Sequence, residues 1–217
     1  MNEPSAVDRL ADEDLVRGAA AGDRDAFAAL YRRRRPDVFR FALHMTAETS
    51  VAEDVVQEVF MVVMDDAARF EPGRATVAAW LCGIARNRLR QRLERDRRLE
   101  PLAHDEEPPA WAAGPEALAD LLRVEQVEAV RKAVLSLPLR YREVVVLCDL
   151  QELPYADAAE ALSCAVGTVR SRLHRGRALL ASKLSTAARE AGSGGLEGRP
   201  SPARRAGPEF EPGGVLS

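Results

Sequence analysis

Apolar residues recur at helical spacing from about Asp12 to Arg98, and again from near Ala117 to about Ala188. No stretch has the alternating Val/Ile/Thr pattern of a half-buried strand. The nearest candidate, Val144-Val145-Val146, lies inside Arg140–Leu150, where helical spacing fits better. The pattern predicts an all-α chain of two small helical domains, over residues 12–98 and 117–188. Within the first block, Pro36 and Pro72 are expected at bends or in loops. Residues 99–116 change texture: Pro101, Pro108, Pro109 and Pro115 alternate with Glu100, Asp105, Glu106 and Glu107, which predicts a flexible acidic linker. Residues 189–217 hold seven of the 14 glycines and four of the 13 prolines and are expected to form a disordered tail. There is no internal repeat.

The most informative stretch is Pro154–Leu180, PYADAAEALSCAVGTVRSRLHRGRALL. Ala158, Ala159 and Leu162 give a short helix with one apolar face, and the small Ala159 lets a second helix come close. Ser163-Cys164-Ala165 supplies a tight turn. Val166, Val169, Leu173 and Leu180 then fall on one side of a second helix, with Thr168, Ser171, His174, Arg175 and Ala178 opposite and Arg170 flanking. No acidic residue occurs from Ala161 to Thr186. Such a face suits a major groove, with arginines for guanine edges and phosphates and hydroxyls for phosphate oxygens. The plainer reading is an αα-hairpin with solvated arginines. Arg172 points toward the core side and reads as a partly buried pairing residue.

Composition alone hides this arrangement. The chain has 31 Lys+Arg against 34 Asp+Glu, for a net charge of −3, which argues against a uniformly basic nucleic-acid binder. Only Lys132 and Lys183 are lysines; the rest of the basic residues are arginines, suited to phosphates and guanines or simply a product of GC-rich coding. The charges are segregated. Phe41–Ala68 has no Lys or Arg but carries Glu48, Glu53, Asp54, Glu58, Asp65 and Asp66, whereas Arg86–Arg98 holds seven arginines. Ordinary solvated faces in mutual pairing are one explanation, and two different partners are the other. The hydrophobic fraction, 47%, is ample for buried cores. No run approaches the ~18 apolar residues of a membrane span, and the acidic N-terminus lacks a signal-peptide core. Cys82, Cys148 and Cys164 have no ligand or disulfide spacing and read as buried thiols of a cytoplasmic protein, with a redox sensor as the alternative. His44, His104 and His174 are scattered, so no metal site or other cofactor is expected.

Taken together, these segments resemble extracytoplasmic-function (ECF) RNA polymerase sigma factors. AVGTVRSRLHRGRALL, preceded by LPLRYREVVVL (Leu137–Leu147) and PYADAAEAL, is similar to the family's region-4 helix-turn-helix domain. AEDVVQEVFMVV (Ala52–Val63) and TVAAWLCGIARNRLRQRLERDRR (Thr76–Arg98) resemble region 2, in the right order and with no region-3 domain between. The resemblance implies a promoter-specificity subunit with no catalytic chemistry of its own. Region 2 (12–98) would bind core polymerase and recognise and melt the minus-10 element, and region 4 (117–188) would read the minus-35 element.

By the same resemblance, Asp54, Gln57, Glu58 and Met61 would meet the polymerase β′ clamp helices, and the second domain would meet the β flap. The loop Phe70–Ala75 is where the family pockets a flipped base. Arg74, Arg86, Asn87 and Arg90 would line the minus-10 surface, and Thr168, Arg170, Ser171, His174 and Arg175 the minus-35 surface. Trp80 is either a core anchor or a stacking platform. The linker's charge suits a segment threaded through the polymerase's basic channel, and an anti-sigma factor is an implied partner. The chain departs from the family at Ser163 and Cys164, where glycine and an aliphatic residue are common, and at Ala158, where a larger aliphatic is common.

Two competing classes remain. A stand-alone helix-turn-helix regulator explains Pro154–Leu180 but neither the acidic helix nor Thr76–Arg98. A metal-dependent hydrolase using Asp54, Glu58 and Asp65 lacks a clustered histidine set.

Overall fold

A computed structural model describes residues 6–99 and 118–193; the expected linker, and the expected tail beyond Ser193, lie outside the described residues. The described chain is helical throughout. A 3-10 turn at Ala6–Arg9 leads into α1 (Asp12–Ala20), α2 (Arg24–Thr46), α3 (Thr49–Asp66) and α4 (Val77–Leu99). The second half contains α5 (Leu118–Leu135), α6 (Leu139–Val145), α7 (Tyr155–Ala161) and α8 (Val166–Ser193). Val144–Val146 is helical: α6 runs into a π-helical turn at Val146–Leu150. The last helix passes through Ser193, into the stretch expected to be tail.

In the first half, α2, α3 and α4 pack together with α1 against them, as their apolar stripes require. Leu30, Phe41, Val55, Val59, Val63 and Leu81 are fully buried, and Phe60 stacks edge-on against Tyr31 with ring centroids 4.7 Å apart. The Asp23 side chain caps α2 by accepting from the N–H groups of Asp25 and Ala26, at 2.8 and 3.2 Å. Pro36 lies inside α2 and not in a loop. A proline there loses one backbone hydrogen bond, but the helix is held on both sides of it. Asp12 of α1 pairs with Arg33 and Arg34, and Asp37 pairs with Arg34 and Arg40. Pro72 is in a loop, in a turn where Gly73 takes φ +84 and Arg74 N–H bonds Glu71 O at 3.3 Å.

The second half folds around Val144, Val146, Leu147, Ala158, Val169 and Leu173. Helix α8 crosses α6 at Gly176, where a Cβ would sit 2.9 Å from Val145 Cγ2. The halves also touch each other. Helix α7 lies along α4, and α5 contacts α2. Arg142 of α6 donates to the carbonyls of Met45 at the end of α2 and of Leu135 and Leu137 at the end of α5, so one cation serves the C-termini of two helices. Burial lowers its pKa from the usual arginine value.

Candidate nucleic-acid and polymerase interfaces

Helices α7 and α8 form a helix-turn-helix. Pro154 precedes the first turn of α7, and after it Ser163 adopts φ +51 while Cys164 N–H bonds Ala159 O at 3.0 Å. Val169 and Leu173 anchor α8, so its opposite side must face outward. Arg170, Ser171, His174 and Arg175 are exposed and Thr168 is half-buried. Arg175 also hydrogen-bonds the Tyr141 phenol. That bond, together with the nearby charges of Arg140 and Arg175, lowers the phenol's pKa despite desolvation. Arg172 is half-buried, on the flank between core and recognition face.

On α3, Asp54, Gln57 and Met61 are exposed and Glu58 is half-buried, all along one stripe. Two methionines stand out of this stripe, Met61 at 60% exposure and Met64 at 65%, far more than core methionines show. The carboxylates are not free: Arg92 of α4 lies 3.2 Å from Asp54 and pairs with Glu58, and Arg88 is 3.8 Å from Glu58. Pairing between the acidic and basic helices therefore accounts for part of the charge segregation.

The four residues expected on the minus-10 surface differ in exposure and pairing. Asn87 and Arg90 are exposed on α4. Arg74 is exposed in its loop but bonded to Glu160 at 2.8 Å and Glu71 at 3.1 Å. Arg86 lies inside the seam between the halves, paired with Glu143 of α6 at 2.8 Å with side chains 9% and 4% exposed. Trp80 is half-buried against Phe70, ring centroids 5.3 Å apart. It also lines a cleft of about 310 Å³ with Arg74, Asn87, Glu160 and Ala161. Glu143, Asp157 and Glu160 escaped notice in the sequence; the available signal was a carboxylate inside the apolar run Tyr141–Leu147, which demands a buried partner.

Burial pushes the Cys82 thiol up to about 12 and the Cys148 thiol up to about 11, which removes the thiolate that a sensor needs. Among the described residues, no group of His, Cys, Asp and Glu is placed to hold a metal ion, and no helix is long and apolar enough to cross a membrane.

Comparison with known proteins settles the class. The chain matches the Sigma-70 region 2 family over residues 30–99 and the Sigma-70 region 4 family over residues 127–180. It is 37% identical over 175 residues to the ECF RNA polymerase sigma factor SigM of Mycobacterium tuberculosis, covering 80% of this chain and 84% of that protein. The chain belongs to the ECF RNA polymerase sigma factors. It is 34% identical to SigE of Mycolicibacterium smegmatis over 76% of its own length and 65% of that relative's. Among solved structures it is similar to the sigma factor RpoE of Bartonella quintana in complex with the anti-sigma factor NepR. That match has a TM-score of 0.62 and 26% identity, and covers 73% of this chain and 96% of that one. As an ECF sigma factor it directs RNA polymerase to promoters, in a family of initiation subunits and not of enzymes. Region 2 thus contains the acidic α3 stripe, the Phe70–Ala75 loop and α4, and region 4 contains the helix-turn-helix.

Proposed function

We propose that the two regions divide promoter recognition between them. The domain spanning 12–98 docks on core polymerase through Asp54, Gln57, Glu58 and Met61 and engages the minus-10 strand with Arg74, Arg86, Asn87 and Arg90. The domain spanning 117–188 places α8 in the minus-35 major groove through Thr168, Arg170, Ser171, His174 and Arg175. The observation that carries this reading is the outward face of α8, basic and hydroxyl-bearing over a buried Val169–Leu173 side. Met61 and Met64 support the docking surface, since exposed, adaptable thioethers suit an interface better than water. The acidic linker, residues 99–116, would pass through the polymerase's nucleic-acid channel. The protein works in the cytoplasm, and an anti-sigma factor, such as the one bound by the Bartonella relative, holds it in check. Run-off transcription with purified core enzyme on genomic fragments, with start sites mapped, tests the reading. Defined starts preceded by a shared pair of elements are expected, and their absence overturns it.

A further inference from the structure

Three acidic side chains of the region-4 half meet Arg74 and Arg86, assigned above to the minus-10 strand, and Thr76 between them at the start of α4. Glu143 holds Arg86 at 2.8 Å in a buried pair, and Glu160 holds Arg74 at 2.8 Å. Asp157, itself buried, accepts the Thr76 hydroxyl at 2.6 Å, and that same hydroxyl caps α4 by accepting from Ala79 N–H at 3.3 Å. Gly83 lets the backbones close in: a Cβ there would lie 3.4 Å from the Cα and carbonyl oxygen of Ala161. Carboxylate oxygens within hydrogen-bonding reach of arginines and a hydroxyl occupy the kind of position that phosphate oxygens take on such side chains. The same packing leaves Arg170, Ser171, His174 and Arg175 exposed. The closure is therefore one-sided: it engages Arg74, Thr76 and Arg86, leaves Asn87 and Arg90 exposed, and spares the recognition helix.

We propose that Glu143, Asp157 and Glu160 form a ligand in cis for the region-2 single-strand surface, standing in for a nucleic-acid backbone. The free chain then keeps Arg74, Thr76 and Arg86 engaged and its minus-35 helix available. This rests on the site assignment under Proposed function. The three carboxylates lie on α6 and α7, so strand capture and binding of the acidic face are mutually exclusive on Arg74, Thr76 and Arg86. Glu143 becomes hydrated when the halves part, so breaking the seam leaves no charge stranded in the apolar interior. A seam that merely packs would also bury these residues, but neutralising its carboxylates would not favour single strands over duplex.

The test uses the full chain, two variants and two probes. Asp157→Asn/Glu160→Gln removes charge at the rim of the seam; Glu143→Gln removes the buried partner. A labelled random-sequence 20-nucleotide single strand and the matching duplex are titrated at low salt, and small-angle scattering reports the radius of gyration. In the double variant, single-strand affinity should rise at least fivefold relative to duplex affinity, with an increased radius of gyration. Glu143→Gln should do the same if it folds. An equal rise for both probes would reflect only the added charge and overturn the proposal, as would a wild-type chain already extended in solution or a double variant that does not open. Run-off transcription with core enzyme separates the two failures. Defined starts with no change in strand preference sink the cis ligand alone, whereas no defined starts sink the site assignment itself.

Discussion

Helices α4 and α8 are both rich in arginine, yet the fold treats their charges in opposite ways. On α8, Arg170 and Arg175 project from an exposed face whose reverse side is anchored by Val169 and Leu173. On α4, Arg86 is committed to Glu143, and Arg88 and Arg92 to Glu58 and Asp54. A basic run is therefore not a basic surface; what matters is which arginines have carboxylates within reach once the helices pack. The face whose Arg170 and Arg175 carry no carboxylate partner among the described residues can meet DNA at once, whereas the carboxylate-paired one must first exchange partners.

The sharpest way to break the comparison is at the glycines that permit each approach. Gly176→Leu places a side chain where a Cβ alone lies 2.9 Å from Val145 Cγ2 and 3.4 Å from the Tyr141 carbonyl. It should cost about 3 kcal/mol, seen as a lowered Tm in thermal unfolding. Gly83→Ala, with its contacts at 3.4 Å to Ala161 across the seam, should shift Tm far less. An equal drop would mean that the two halves unfold as one. Next, Arg170→Ala should lose about 1–3 kcal/mol of minus-35 duplex binding while core-polymerase binding is unchanged. If both fall together in pull-down and footprinting, the division of labour fails.

A smaller effect sharpens the description of the turn. Ser163 at φ +51 is strained for a side-chain-bearing residue, so Ser163→Gly should stabilise the second half by about 0.5–1 kcal/mol in denaturant titration. The smallest effect concerns His44, which lines an apolar groove between α2 and α5. Burial, then the charges of Arg131 and Arg40, lowers its pKa in the folded chain. The unfolded chain binds the proton more readily, so stability holds above about pH 6.5 and declines as pH falls below it. A Tm series from pH 7 to 5 should slope downward, and His44→Gln should flatten that slope.

Much of this was legible in the sequence because helical periodicity is a local signal. Val169 and Leu173 announced the buried side of α8, and the residues opposite were exposed where the spacing put them. That α2 continues through Pro36 is not legible locally, since ion pairs from Asp12 and Asp37 hold the helix on either side of it. The burial of Arg86 is not legible locally, because a buried arginine and an exposed one look alike in a run of arginines. Its partner, Glu143, is 57 residues away, beyond any periodic pattern. Glu143 signals burial by its place in an apolar run, but nothing in the local spacing of Glu143, Asp157 and Glu160 names partners across the seam.

The Arg86–Glu143 and Thr76–Asp157 contacts also impose an order in time. Their partners are 57 and 81 positions apart along the chain. A ribosome adding roughly 5–20 residues per second needs about 3–16 s to cover those intervals. Helix α4 therefore leaves the ribosome with its seam side bare, and α6 and α7 reach it only seconds later. A newborn chain passes through a stage at which its arginine-rich helix meets the nucleic acid and polymerase around it before its own second half has been made.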